Sequence, residues 1–156
     1  ADEGGAACEK VRVLVVDDDA GQRMMLKTML EQEGFAVDTA INGKEMVLAT
    51  ARNIYGAVLT DGFMPLLSGW EATLEIRERE RQQQEGWGAP LIIIGITGAT
   101  SPEEVQRAKD VGMTEMLPKP VSRELLRRTV LRHLPEEQMT GVALSRRLKQ
   151  TSEAAP

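Results

Sequence analysis

The sequence is poor in the features that mark secreted, membrane-spanning and nucleic-acid-binding proteins. Its 156 residues include one cysteine, Cys8, so no internal disulfide can form, which suits a cytoplasmic location. No apolar run approaches the ~20 residues of a membrane-spanning helix, and the start of the chain lacks the basic and apolar regions of a signal peptide. The net charge of −5 disfavours a nucleic-acid surface, which usually carries a basic patch. We therefore expect a cytoplasmic domain with no membrane segment and no direct nucleic-acid contact.

Short apolar runs alternate with segments of helical periodicity between residues 11 and 134. The runs predict strands, and the periodic segments predict a helix after each strand: strands at 11–16, 35–40, 55–60, 91–97 and 114–119; helices at 20–34, 44–53, 68–84, 102–111 and 122–134. Five strand–helix units predict an α/β fold with a parallel sheet and helices on both faces. Pro118 places the fifth strand at an edge, which suits a flavodoxin-like (βα)5 fold of strand order 2-1-3-4-5.

The two ends of the chain differ in character from this repeating region. We predict a disordered leader at 1–10, a single domain at 11–134, and a C-terminal extension or linker at 135–156. Two polar residues are assigned to the fold alone. Asp19 is interpreted as the N-cap of the first helix, and His133 as a C-terminal cap of the last one.

Polar residues collect where the predicted strands end. Asp17 and Asp18 follow the first strand and Asp61 follows the third, while Thr97 ends the fourth and Lys119 the fifth. In an open parallel sheet, ligands bind beyond the carboxyl ends of the strands, where the winding reverses. For this strand order the reversal lies between strands one and three, so we expect these side chains to form one site.

The residue types at this edge suit metal-assisted phosphoryl transfer. Clustered carboxylates repel one another, and a Mg²⁺ ion relieves that repulsion through its oxygen ligands. A lysine and a hydroxyl can neutralise and bind the oxygens of a transferring phosphoryl group. Asp61, at the crevice between strands one and three, is the predicted nucleophile and would form an aspartyl-phosphate. Gly98, next to Thr97, would leave room for the phosphoryl oxygens.

Four motifs in the expected order resemble the receiver domain of two-component response regulators. They are "VLVVDDD" at the first strand, "LTDGFMPLLSG" at the third, "ITG" at the fourth and "LPKPV" at the fifth. The resemblance covers about residues 11–134. It implies a phosphoacceptor at Asp61, a phosphate-sensing hydroxyl at Thr97 and ammonium at Lys119, and a cis Lys119–Pro120 bond. It also implies that Mg²⁺, with Mn²⁺ as the alternative ion, is held by Asp17, Asp18, Asp61 and the backbone carbonyl of Phe63.

The resemblance further implies a partner and a mode of activity. The phosphoryl donor would be a histidine kinase or a histidine phosphotransfer protein, docking near Gln22, Met25 and Pro120. Transfer to Asp61 and later autodephosphorylation would be self-catalysed, so the domain is not an enzyme of the usual kind. The polar stretch "RERERQQQEGWGAP" resembles the receivers of hybrid histidine kinases and eukaryotic phosphorelays more than compact chemotaxis regulators. One departure concerns the switch that pairs with Thr97: Met116 stands where many receivers carry an aromatic residue.

Two other functions remain open from the sequence. A small Mg²⁺-dependent phosphatase that forms an aspartyl-phosphate would need a second aspartate two residues after the nucleophile, and Phe63 stands there. A receiver that is never phosphorylated would serve as an interaction module. Such proteins usually lack an acid, the threonine or the lysine, and this chain has all of them.

Overall fold

The structure is a computed structural model that describes residues 10–83, 89–98 and 101–134. Five strands alternate with five helices along these residues. The elements are β1 (Arg12–Val16), α1 (Ala20–Gln32), β2 (Ala36–Ala40), α2 (Gly43–Arg52), β3 (Ala57–Asp61), α3 (Gly69–Gln82), β4 (Ile93–Thr97), α4 (Pro102–Val111), β5 (Glu115–Pro118) and α5 (Arg123–His133).

The strands form one parallel sheet in the order β2-β1-β3-β4-β5. The flavodoxin-like architecture predicted from the sequence is confirmed, with β5 at an edge. All five strands begin one or two residues later than predicted, and most of the residues before them are apolar, so the apolar pattern does not mark the start of a strand. The end of β3 is also different, since Asp61 is its last residue and pairs with Ile96 of β4. Its backbone is therefore held in the sheet.

The core lies on both faces of the sheet. Successive side chains of a strand point to opposite faces, and β1 shows this clearly. Val13 and Val15 pack with residues of α1 and α5, whereas Leu14 and Val16 pack with residues of α2, α3 and α4. Because both faces are covered, β1 is apolar throughout, as is usual for a central parallel strand.

Several helix termini follow the local sequence. The side chain of Asp19 accepts a hydrogen bond from the Gln22 amide at 2.9 Å, so it caps α1 as predicted. Ser101 caps α4, and that helix ends at Gly112 in the left-handed conformation with φ of 95°. The prediction for His133 was wrong. Its Nε2 lies 2.6 Å from Glu115 Oε1, because the edge strand β5 runs beside the last turn of α5.

The predicted ends of the chain fall outside the described residues, except for Lys10. The leader, the domain boundaries and the extension at 135–156 therefore remain predictions. Within residues 10–83, 89–98 and 101–134, no helix combines the length and apolar character needed to cross a membrane.

Candidate functional site

Three carboxylates meet at the carboxyl edge of the sheet. Asp17 and Asp18 directly follow β1, and Asp61 ends the neighbouring strand β3. Oxygen atoms from the three side chains all lie within 4.8 Å of one another. The structure thus brings together the three acids that the sequence predicts at this edge.

Lys119 supplies positive charge to two of these acids. Its Nζ lies 3.2 Å from Asp61 Oδ2 and 3.8 Å from Asp17 Oδ2. Burial raises the pKa of the Asp17 carboxyl above its ordinary value, and the charge of Asp61 raises it further. The hydrogen bond that Asp17 Oδ1 accepts from the Asp19 amide at 2.9 Å opposes this shift. Additional positive charge at the site would stabilise the ionised cluster.

The acids differ in their access to solvent and to the lysine. The side chain of Asp17 is 2% exposed, whereas that of Asp61 is 14% exposed and forms the shorter contact with Lys119. Asp18 is exposed. Asp61 therefore combines a reachable carboxylate with an adjacent ammonium, as a nucleophile toward a phosphoryl group requires.

The ends of β4 and β5 are tied together beside the acids. Thr97 is buried at the end of β4, and its carbonyl accepts a hydrogen bond from the Lys119 amide at 2.7 Å. The Lys119–Pro120 bond is cis, as the resemblance implies. Among the described residues, none comes within 4 Å of a Cβ built on Gly98, so they leave the space expected next to Thr97 open.

The segment of residues 62–68, called here the site loop, leads from Asp61 into α3. The amide of Gly69 donates to the Gly62 carbonyl at 2.8 Å, which closes the loop at its base. The Thr60 hydroxyl donates to the Asp61 carbonyl at 2.8 Å. The backbone on both sides of the Asp61 carboxylate is thus held by hydrogen bonds.

The remaining predicted residues lie around this edge. Gln22 and Met25 are half-buried in the first turns of α1, and Pro120 is exposed after Lys119. Met116 is half-buried on β5 opposite Gly95 of β4, and it packs against the core on the α2–α4 side. A methionine side chain therefore occupies the position at which many receivers carry an aromatic residue.

Two arginines near the site were missed in the sequence. Arg23 donates from Nη1 to the Asp17 carbonyl at 2.8 Å. A cation so close to the N-terminus of α1 is unfavourable for the helix dipole, and this was a usable signal. Arg107 of α4 stacks on the rings of Trp70 and Phe63. Nothing in the local sequence indicates that contact, because it joins elements far apart in the chain.

The residues present fit a hard divalent cation. All three donors are carboxylates, which Mg²⁺ prefers. Their spacing, within 4.8 Å, is close to the roughly 4.2 Å between opposite ligands of octahedral Mg²⁺. One bound cation would also offset the repulsion among three neighbouring negative charges.

The strand order defines a flavodoxin-like α/β domain, and the three acids at its carboxyl edge suit a divalent cation. The sequence matches the response regulator receiver domain over residues 13–131. The chain belongs to this family. Among curated proteins, it is 33% identical over 130 residues, 81% of the chain, to the peroxide stress-activated histidine kinase mak3 of Schizosaccharomyces pombe. It is 31% identical over 122 residues, 78% of the chain, to the sensor histidine kinase RcsC of Escherichia coli. The match spans 5% and 12% of these relatives' lengths.

Solved structures agree with this assignment. The chemotaxis protein CheY4 of Vibrio cholerae superposes with a TM-score of 0.72 at 31% identity, covering 81% of this chain and all of that one. The receiver domain of Ssk1, solved with the phosphotransfer protein Ypd1 of Saccharomyces cerevisiae, gives a TM-score of 0.72 at 28% identity, with coverage of 79% and 88%. The receiver domain of the sensor kinase PA1611 of Pseudomonas aeruginosa, with magnesium in its active-site cleft, gives 0.70 at 28%, with coverage of 80% and 97%.

Proposed function

We propose that this receiver domain accepts a phosphoryl group on Asp61 from a phosphohistidine and changes conformation to pass on the signal. The observation that carries the proposal is the placement of Asp61, whose 14% exposed carboxylate lies 3.2 Å from Lys119 Nζ within a cluster of three acids. Asp17 is too deeply buried for this role, and Asp18 makes no salt bridge to Lys119 in the described part of the chain.

The transfer itself is a displacement at phosphorus. A carboxylate oxygen of Asp61 attacks the phosphorus atom, the P–N bond to the histidine breaks, and its electron pair returns to the imidazole nitrogen. Lys119 is close enough to exchange its contact with Asp61 for one with the phosphoryl oxygens. The Thr97 hydroxyl donates a hydrogen bond to another phosphoryl oxygen, in the space beside Gly98. Water later attacks the aspartyl-phosphate, which regenerates Asp61 and releases inorganic phosphate.

Asp17, Asp18, Asp61 and the backbone carbonyl of Phe63 would hold Mg²⁺, with Mn²⁺ as the alternative ion. When bound, the metal supplies positive charge that neutralises the carboxylates and the phosphoryl oxygens. Asp17 contributes chiefly as a buried anion, since the Asp19 amide already binds one of its oxygens.

The donor is a histidine kinase or a histidine phosphotransfer protein, and the chain is one domain of a larger hybrid kinase. The similarity to receiver domains of sensor histidine kinases and to the receiver solved with Ypd1 supports this proposal. The cytoplasm is the proposed location, because the lone cysteine excludes an internal disulfide. Gln22, Met25 and Pro120 border the acidic edge and form the proposed docking surface.

Phosphorylation by acetyl phosphate and Mg²⁺ tests the role of Asp61 directly. The wild-type protein should gain one alkali-labile phosphoryl group, as measured by intact-mass spectrometry, and Asp61→Asn should gain none. Labelling of the variant with the same lability would disprove the assignment. A folded wild-type protein that is never labelled, by acetyl phosphate or by a phosphohistidine donor, would instead support the unphosphorylated interaction module.

Two methionines of α1 test the docking surface. Met25 is half-buried near the acidic edge, whereas Met24 is 61% exposed and lies elsewhere on the helix. Met25→Lys should slow transfer from a phosphohistidine protein at least about tenfold, because it places a charge in an apolar contact. Met24→Lys, the matched control, should have little effect. Both variants should react normally with acetyl phosphate, and equal loss with both donors would argue against docking at Met25.

A further inference from the structure

Arg107 joins α4 to the site loop through two aromatic rings. Its Cζ lies 5.1 Å from the centre of the Trp70 ring and 6.0 Å from that of Phe63. The two rings are 6.1 Å apart and meet edge to face at 77°. All three distances lie in the range of cation–π and aromatic pairing. Arg107 is exposed and forms no salt bridge within the described ranges. Hydrogen bonds from Ser68 lower the pKa of Glu71 and the charge of Arg107 helps to lower it further, but the two rings are the closest contacts of Arg107 given by the structure.

The rings lie against the backbone that follows Asp61. A Cβ built on Gly62 would lie 2.5 Å from the Trp70 ring, so the ring packs directly on the Gly62 backbone. Trp70 is 1% exposed, and its indole N–H finds no hydrogen-bond partner in the part of the chain that the structure describes. Within these residues, packing and the stacking of Arg107, and not a hydrogen bond, therefore orient this ring.

Phe63 is the exposed one of the two rings. Its residue is 57% exposed, and the ring contacts both Trp70 and Arg107. Without the guanidinium, one face of the Phe63 ring would have no contact, and the side chain would gain rotational freedom. Phe63 and Trp70 thus place the backbone that follows Asp61 in contact, through their rings, with Arg107 of α4.

We propose that Arg107 is a positioning residue that holds the site loop in place and couples occupancy of the acidic cluster to the position of α4. The coupling follows because a ligand that shifts the loop must shift the stack, and thermodynamic linkage makes the effect reciprocal. The position on β5 where many receivers carry an aromatic switch residue holds Met116 in this chain, so it supplies no ring for such coupling. The coupling part of the proposal rests on the proposed function, since it requires metal or phosphoryl at the site.

Three variants separate stacking from charge. Arg107→Gln removes the cation, and Arg107→Lys keeps a cation over the rings. Lys109→Gln removes a positive charge from the last turn of the same helix and serves as the matched control. The first measurement is amide exchange of Gly69 without metal, because this amide donates to Gly62 at the base of the loop. The second is Mg²⁺ affinity, followed by NMR shifts of the site loop and of α4.

Arg107→Gln should speed Gly69 exchange and weaken Mg²⁺ binding by about two- to fivefold each, the range of one exposed cation–π contact. The response of α4 amides to Mg²⁺ should shrink, while Arg107→Lys keeps most of it and Lys109→Gln is unchanged. Equal effects of Arg107→Gln and Lys109→Gln would overturn the proposal, as would a lysine variant as impaired as the glutamine one. If the wild type binds no Mg²⁺, the proposed metal role fails, and exchange of Gly69 still decides whether Arg107 holds the loop.

Discussion

Replacing Gly69 with alanine should damage the site far more than the fold. Gly69 is the first residue of α3, and a Cβ there would lie 2.1 Å from the Asp61 carbonyl oxygen and 2.8 Å from Thr60 Oγ1. Ordinary contacts begin near 3.4 Å, so α3 and the end of β3 must separate by about 1.3 Å. The hydrogen bond from Gly69 to Gly62 would be strained by the same movement.

Two different magnitudes follow from this displacement. Overpacking of this kind typically lowers the free energy of unfolding by about 1–3 kcal/mol, which a domain of about 5–15 kcal/mol survives. A misplacement of about 1 Å at a reacting group, however, can slow a reaction about 100-fold. We therefore expect Gly69→Ala to remain folded under the assay conditions and to label with acetyl phosphate about 100-fold more slowly than wild type.

The matched control lies at the other end of β3. A Cβ on Gly56 would lie 2.5 Å from Val11 Cγ1 and 3.0 Å from Leu134 Cδ2, so Gly56→Ala also crowds the core but leaves Asp61 untouched. Its labelling rate should stay within about twofold of wild type, with a smaller loss of stability than in Gly69→Ala, because the atoms it would crowd are side-chain methyl groups and not backbone. Urea titration measures stability, and intact-mass spectrometry measures labelling. A folded Gly69→Ala protein that labels at the wild-type rate would refute the argument.

Three further changes have defined outcomes. Leu66 is 80% exposed and has a left-handed φ of 70°. Asparagine tolerates this conformation better than leucine does, so Leu66→Asn should raise the free energy of unfolding, measured by urea titration, by about 0.5–1 kcal/mol. An unchanged value would count against backbone strain at this residue. Burial and the hydrogen bond to Asp38 at 2.8 Å raise the pKa of Tyr55 to about 12. The raised pKa stabilises the folded protein fully below the unfolded-state pKa near 10, and this contribution is lost as the pH rises through the folded-state pKa. The absorbance of the single tyrosine should titrate near 12, and nearer 10 in Asp38→Asn. Asp18→Asn should weaken Mg²⁺ binding at least about tenfold by calorimetry, since even outer-shell changes commonly cost that much, and tight beryllofluoride binding in EDTA would contradict the metal role.

The sequence by itself determined the order of strands and helices and which charged residues, three acids and Lys119, meet at the carboxyl edge of the sheet. Strand and helix periodicities are local properties, and the proline at position 118 is compatible only with an edge or an end of a strand. Parallel strands place all their carboxyl ends at one edge, so acids that follow β1 and β3 must meet there. Helix caps such as Ser101 and Gly112 were also predictable, because they act on the backbone of their own turn.

Only the tertiary structure decided the burial of each site carboxylate and the contacts between side chains that are distant in the sequence. Asp17 and Asp61 are the same residue type at equivalent strand ends, yet one is buried and the other is reachable. The stacking of Arg107 on Trp70 and the contact of His133 with Glu115 depend on the angles at which helices pack on the sheet. Such contacts join residues 18 to 37 positions apart, and no local pattern encodes the distance or orientation between them.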